Sequence, residues 1–287
     1  MVEVLVHFVA PALVGVLIGI ASGLLGIGGG TVMVPIFRLA FEMSATMSTA
    51  TSLFAIIPTS ISGAISHVKG KTCIPALGIA AGLGGACMSP IGVWLAQLSP
   101  DWLVMLAAAL IIGYSAINMF KKAFKLRPAG QPATGVDAAA AASLTSSGDA
   151  AAAAPTADDS SLSRKQLLQG AAIGLVAGLA SGYVGVGGGF IMVPLMLSII
   201  GIPMRKASGT SLIAVMILAI PGVIEQGIIG NINYLAGIAI VIGTIPGAVI
   251  GARLVTRVPE RTLRLLFGCF LIVAAVMLVL NEVGIFG

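Results

Sequence analysis

The chain has 287 residues, of which 58% are hydrophobic and only 9% charged, with a mean hydropathy of +1.10. Soluble domains carry about 25% charged residues, so this composition excludes a water-facing globule and predicts an all-α polytopic membrane protein. The net charge of +5 does not signal nucleic acid, because the basic residues flank apolar stretches and read as topology signals.

In chain order, the first apolar segment covers residues 4–25. It reads as a membrane helix rather than a secretory signal, since no basic stretch precedes it. A short segment, 31–43, follows and extends only about 20 Å as a helix. Segments 47–67, 74–97 and 102–120 approach the roughly 20 apolar residues that cross a bilayer. All are continuous runs of Leu, Ile, Ala and Gly, whereas barrel strands alternate over about 10 residues.

Residues 121–165 break the pattern. They are rich in Ala, Ser, Pro and Asp, cannot bury a core, and read as a flexible linker. Five more apolar segments follow, at 167–184, 190–202, 207–227, 233–255 and 261–281. The expected organisation is therefore one membrane repeat at 1–120, the linker at 121–165 and a second repeat at 166–287.

The two halves share a text. SGLLGIGGGTVMVP at 22–35 returns as SGYVGVGGGFIMVP at 181–194, and Thr51-Ser52-Leu53 returns as Thr210-Ser211-Leu212, all at one offset of 159 residues. If the first two segments of each half form a hairpin, each half crosses an odd number of further times and the halves are inverted. One face then collects every Lys and Arg except Arg38, and the opposite face holds Glu42, Asp101, Glu225 and Glu282. A parallel arrangement divides the basic residues almost evenly, so the positive-inside rule selects inverted repeats. This predicts ten segments, a cytoplasmic linker and both termini outside the cell membrane. The four segments that end at the glycine triplets are expected to be short or broken.

Three consecutive glycines are costly inside a helix, about 1 kcal/mol each relative to Ala. At matching positions of two inverted halves they are the signature of broken helices, where secondary transporters hold substrate. A helix starting just after Gly28, Gly29 and Gly30, or after Gly187, Gly188 and Gly189, presents free N–H groups and a positive dipole end. Without side chains in the way, these favour an anion. The same glycines also suit close helix packing.

Thr51, Ser52, Thr210 and Ser211 offer hydroxyls to such an anion, or to their own helix backbone. Arg38, the basic residue within a membrane segment, suits an anion clamp or gate, or snorkels to the nearby interface. His67 and Glu225 are the candidates for proton coupling. Asp101 and Glu260 precede apolar helices and favour their dipoles. Cys73, Cys87 and Cys269 lack metal-ligand spacing, so neither metal nor cofactor is expected, and no catalytic constellation is present.

GLLGIGGGTVMVP, its repeat GVGGGFIMVP and the TSL in each half resemble the TauE/SafE family of sulfite exporters. The resemblance covers both halves but not the linker. It implies transport of sulfite, thiosulfate or a small organosulfonate, in exchange for or together with protons, and carries Gly28–Gly30, Gly187–Gly189 and the Thr-Ser pairs over as substrate contacts. The reading that follows is a secondary transporter, in the exporting direction, working by alternating access. The alternatives are a passive anion channel and an intramembrane enzyme, the latter poorly served by two histidines and no HExxH or GxGD. The expected partners are a small anion, the lipid bilayer and a second copy of the chain in a homo-oligomer, with no nucleic acid.

Overall fold

The computed structural model describes residues 10–125 and 163–282. Those residues form ten helices. The first half supplies α1 (Ala10–Leu25), α2 (Gly30–Phe41), α3 (Ala45–Lys69), α4 (Pro75–Leu98) and α5 (Asp101–Lys125). The second supplies α6 (Arg164–Val184), α7 (Gly189–Leu195), α8 (Met204–Ile229), α9 (Tyr234–Leu254) and α10 (Glu260–Glu282). A π-helical turn, Met196–Ile200, continues α7.

Local chemistry sets these boundaries. Ser44 caps α3 by accepting from the Met47 N–H at 3.2 Å. Pro75 opens α4, where its missing N–H costs nothing. Ser163 and Gln166 form a reciprocal capping box at the start of α6. Asp101 and Glu260 lie in the first turns of α5 and α10, the places that suit their charge.

The backbone repeats more faithfully than the sequence does. Helices α7 to α10 begin 159 residues after α2 to α5. The ten described residues with positive φ fall into five pairs at that same offset: Gly26/Gly185, Gly28/Gly187, Gly29/Gly188, Glu42/Gly201 and Lys71/Gly230. Glu42 and Lys71 adopt the left-handed form although neither is glycine, which shows that the fold and not the side chain dictates those turns.

Packing exchanges partners between the halves. Helix α1 lies along α9, and its counterpart α6 lies along α4; α3 and α8 form the central pair, and α5 packs on α10. Small residues allow the first two contacts. Gly15, Gly19 and Gly23 of α1 face Gly243, Gly247 and Gly251 of α9, so close that a methyl on any of them would collide with the facing backbone. Gly174, Gly178 and Gly182 meet Ala81, Gly85 and Ser89 in the same way. In lipid, where apolar burial does not drive helices together, such seams let backbones approach and gain dispersion energy.

Large apolar side chains point outward in quantity, among them Trp94, Leu98, Leu110, Leu175, Ile228 and Ile242. That surface fits a hydrocarbon solvent. Seven helices are long and apolar enough to cross a membrane, and three described helices, Pro11–Leu25, Gly30–Phe41 and Gly189–Ile200, are shorter. Of the four segments expected to be short, α6 is therefore longer than anticipated, at 21 residues. Helix α5 also runs to Lys125 and α6 begins at Arg164, so both enter the stretch assigned to the linker. Residues 126–162, the part of the first segment at 4–9 and the end of the second repeat at 283–287 lie outside the described residues.

Candidate functional site

Both repeated phrases are helix breaks. Helix α1 ends at Leu25, and the Gly26 N–H closes its last turn on the Ser22 carbonyl at 2.8 Å. Gly26, Gly28 and Gly29 then take φ of 76°, 81° and 86°, a region that costs other L-residues about 1–2 kcal/mol each. In the copy, Gly185 closes on Ser181 at 2.7 Å, and Gly185, Gly187 and Gly188 take 74°, 88° and 67°. Gly29 and Gly188 are left-handed N-caps of α2 and α7. The step from left-handed to helical backbone aims successive N–H groups into one concavity, an arrangement that suits anions. Among the described residues, no backbone carbonyl accepts from the N–H groups of Gly28, Gly29, Gly30 or Thr31.

The two breaks touch. A methyl on Gly30 would lie 2.5 Å from the Val186 carbonyl oxygen, and one on Gly189 would lie 2.5 Å from the Gly26 carbonyl and 2.8 Å from that of Ile27. Ile56 of α3 and Val215 of α8, themselves repeat counterparts, cover both. A methyl on Gly28 would sit 2.9 Å from Val215 Cγ1, and one on Gly187 would sit 2.8 Å from Ile56 Cδ1. Residues 22–30 and 184–190 are buried throughout. The centre is thus a pair of donor-rich turns under an apolar cover.

Hydroxyls without partners gather around it. Ser22, Thr31, Ser60 and Ser181 are fully buried, and none has a hydrogen-bond partner for its side-chain oxygen among the described residues. A methyl on Gly29 would lie 3.6 Å from Ser22 Cβ, one on Gly188 would lie 3.4 Å from Ser181 Cβ, and one on Gly28 would lie 3.4 Å from Ser60 Oγ. A buried polar group left unpaired costs about 1–3 kcal/mol. Four such groups beside two glycine breaks are a feature that a hydrogen-bonding ligand would relieve.

The residues singled out from sequence are placed in different ways. Gly28–Gly30 and Gly187–Gly189 lie together at the centre. Ser211 donates to the Gly26 carbonyl at 2.7 Å and to that of Ser208 at 2.9 Å, which ties α8 to the first break. Its counterpart Ser52 is buried, and its hydroxyl has no partner among the described residues. Thr51 and Thr210 serve the opposite halves. Thr51 Oγ1 accepts from the Asn233 N–H at 3.0 Å at the start of α9, and Thr210 Oγ1 accepts from the Ile74 N–H at 2.9 Å at the start of α4.

His67 is fully buried. Its Nε2 lies 2.8 Å from the Gly23 carbonyl and its Nδ1 lies 2.7 Å from Thr72 Oγ1. A carbonyl only accepts, so Nε2 carries a proton. Arg38 sits in the last turn of α2, half-buried, about 12 Å along the helix from Gly30. Glu225 sits in the last turns of α8, partly exposed, and the structure does not bring it to the breaks.

Ser22 and Ser181 lay inside the repeated phrase, identical in both copies, and that identity was the signal available for them. Ser60 and Thr31 carry no such signal, since their counterparts are Ala219 and Phe190. Lys122 is a second unpredicted contact: its Nζ donates to the Pro194 carbonyl at 3.1 Å and to Ser198 Oγ, joining α5 to the π-helical turn after α7.

Comparison with known proteins agrees with this architecture. A model of the sulfite exporter TauE/SafE family matches residues 11–278. The chain is 27% identical over 288 residues to the "Probable membrane transporter protein YunE" of Bacillus subtilis (strain 168), covering 97% of this chain and 99% of that one. It is 26% identical over 253 residues to the "Probable membrane transporter protein YdhB" of the same organism, covering 88% and 92%. It is also 34% identical over 86 residues to the "Sulfite exporter TauE/SafE family protein 3" of Arabidopsis thaliana, covering 28% of this chain and 18% of that one. No solved structure matches. A family match that spans both halves, over helices of membrane-crossing length, makes the chain a multi-pass membrane transporter that belongs to the sulfite exporter TauE/SafE family.

Proposed function

We propose that the chain exports a small sulfur oxyanion, sulfite or an organosulfonate, across the cell membrane by alternating access of two inverted repeats. The observation that carries this reading is the meeting of two glycine breaks, ringed by Ser22, Ser60, Ser181 and Thr31, where the N–H groups of Gly28–Thr31 have no backbone acceptor among the described residues and Gly189 N–H reaches only the Gly187 carbonyl at 2.8 Å. A sulfite or sulfonate group is compact, singly or doubly negative and rich in acceptors. Backbone N–H groups and hydroxyls hold such a group without a buried cation, whose desolvation would oppose release. Gly28–Gly30 and Gly187–Gly189 supply the donors from two sides, with Ser52 in reserve and Thr51, Thr210 and Ser211 fixing the helices around them.

Ile56 and Val215 close the centre, so binding requires α3 and α8 to part from the breaks. Such exposure alternates between faces if the two halves rock about the contact. The proposed orientation puts the linker in the cytoplasm and both termini outside, by the charge argument above.

His67 is the proposed proton carrier, with Glu225 the second candidate. The geometry around His67 satisfies both of its charge states. When it is neutral, Thr72 donates to Nδ1. When it is protonated, Nδ1–H donates to Thr72 Oγ1, whose own proton turns to the His67 carbonyl 3.3 Å away. The Gly23 carbonyl accepts from Nε2 throughout, and Gly23 lies just before the break, so the charge on His67 acts on the end of α1.

Counterflow in proteoliposomes tests the reading. Vesicles preloaded with sulfite, sulfoacetate, thiosulfate or a neutral control should show trans-stimulated uptake of the sulfur anions only. Gly29→Val and Gly188→Val, verified as folded by size-exclusion chromatography, should abolish it. Flux that neither saturates nor shows trans-stimulation would instead describe a channel. No flux of any sulfur anion by folded protein would reject the substrate class.

A further inference from the structure

A groove lies away from the breaks, along α3 and α9. Its volume is about 820 Å³, within the range of about 300–1,000 Å³ typical of ligand sites. Ile61, Ile65, Val249 and Ala252 line it, and Lys69 and Arg253 stand at one end. No residue of the breaks lines the groove. Beneath it, Thr59 and Thr244 share a hydrogen bond of 2.6 Å, and Ser62 donates to the Ile245 carbonyl at 2.8 Å. These bonds zip α3 to α9 and close the floor.

The charges at the end of the groove are uncommitted. Lys69 and Arg253 are exposed, and neither forms an ion pair among the described residues. The repeat in sequence does not reproduce them. At the equivalent positions of the other half stand Ile228 and Trp94, while Glu225 replaces Ser66 of the groove wall. The repeat therefore keeps apolar residues at the wall positions (Ile220, Ile224, Pro90 and Val93) but carries the cationic pair on one side only. An apolar trough that faces the hydrocarbon and finishes in two unpaired cations complements a molecule with a long apolar tail and an anionic head.

We infer that the α3–α9 groove binds an anionic phospholipid, its acyl chain along Ile61, Ile65 and Val249 and its phosphate between Lys69 and Arg253. Basic pockets between membrane helices recognise anionic headgroups by this combination. Because the groove floor joins α3 to α9, and α3 carries Ile56 and Ser60 to the centre, the lipid is placed to set how readily α3 moves.

Native mass spectrometry of the purified full chain tests the assignment, with phosphatidylglycerol and phosphatidylcholine of matched acyl chains as probes. The wild type should favour phosphatidylglycerol by on the order of tenfold. K69Q/R253Q should lower phosphatidylglycerol binding to the level of phosphatidylcholine, while K121Q/K165Q, which removes equal charge elsewhere on the surface, should leave the preference intact. Val249→Trp should displace both lipids by filling the trough. Equal binding of the two lipids by the wild type, or equal loss of preference in both charge variants, would overturn the assignment.

Discussion

Gly30 separates the packing of the two breaks from the backbone freedom of glycine, because its own φ is helical and not left-handed. A methyl there meets Val186 O at 2.5 Å and Val186 C at 2.7 Å, both backbone atoms that cannot rotate away, and Ile56 Cδ1 at 2.5 Å. Ordinary carbon contacts lie about 1 Å further out, so Gly30→Ala must push the second break away from the first. Overpacking of this kind costs about 1–3 kcal/mol. Gly201→Ala is the matched control. Position 201 has φ 77° and nothing within 4 Å of the added methyl, so it loses about 1–2 kcal/mol through backbone strain alone. Both variants should therefore lower the thermal melting point in detergent by similar amounts. Only Gly30→Ala should depress sulfite counterflow, by tenfold or more, since only it displaces donors at the centre. Wild-type counterflow in Gly30→Ala, or equal transport losses in the two variants, would refute the idea that contact between the breaks forms the site.

Ser22→Ala and Ser181→Ala remove buried hydroxyls that have no partner among the described residues, so melting points should hold or rise slightly, while the apparent affinity for the anion in counterflow falls about tenfold. A lower melting point with unchanged affinity would assign these serines to packing. Thr51→Ala and Thr210→Ala strip the acceptor from the Asn233 and Ile74 N–H groups and should destabilise by about 1–3 kcal/mol, with Thr→Ser restoring stability in denaturation measurements. His67→Gln keeps a donor for the Gly23 carbonyl, as the native Gln226 occupies the equivalent place in the other half, and should abolish acceleration of anion flux by an imposed pH gradient. Persistent acceleration would move proton coupling to Glu225.

The membrane class, the repeat and the helix breaks were legible along the chain because each rests on a local requirement. Hydropathy over about 20 residues reports the solvent, and a run of glycines that needs left-handed backbone cannot be mistaken for helix interior. The offset of 159 residues located the copy, and the backbone kept it even at Glu42 and Lys71, where the glycines of the second half are absent from the first. The long α6 was less legible, since its first turn draws on Arg164 and Lys165, charged residues that resemble the polar stretch before them.

What surrounds the breaks was decided by tertiary structure alone. Thr51 and Asn233 are 182 residues apart, and Thr210 and Ile74 are 136 apart, so nothing nearby in sequence marks these threonines as caps of the opposite half. Ser60 joins the centre only because α3 crosses the first break, and Arg38 stays away because it lies more than two turns up α2. Sequence by itself determined the solvent, the ten helices of the described residues and where the backbone must bend, because those follow from short-range hydropathy and dihedral limits. Which hydroxyls lie unpaired at the bend, and which apolar side chains cover it, follow from helices exchanged between halves through glycine seams, and those contacts exist only once the chain has folded.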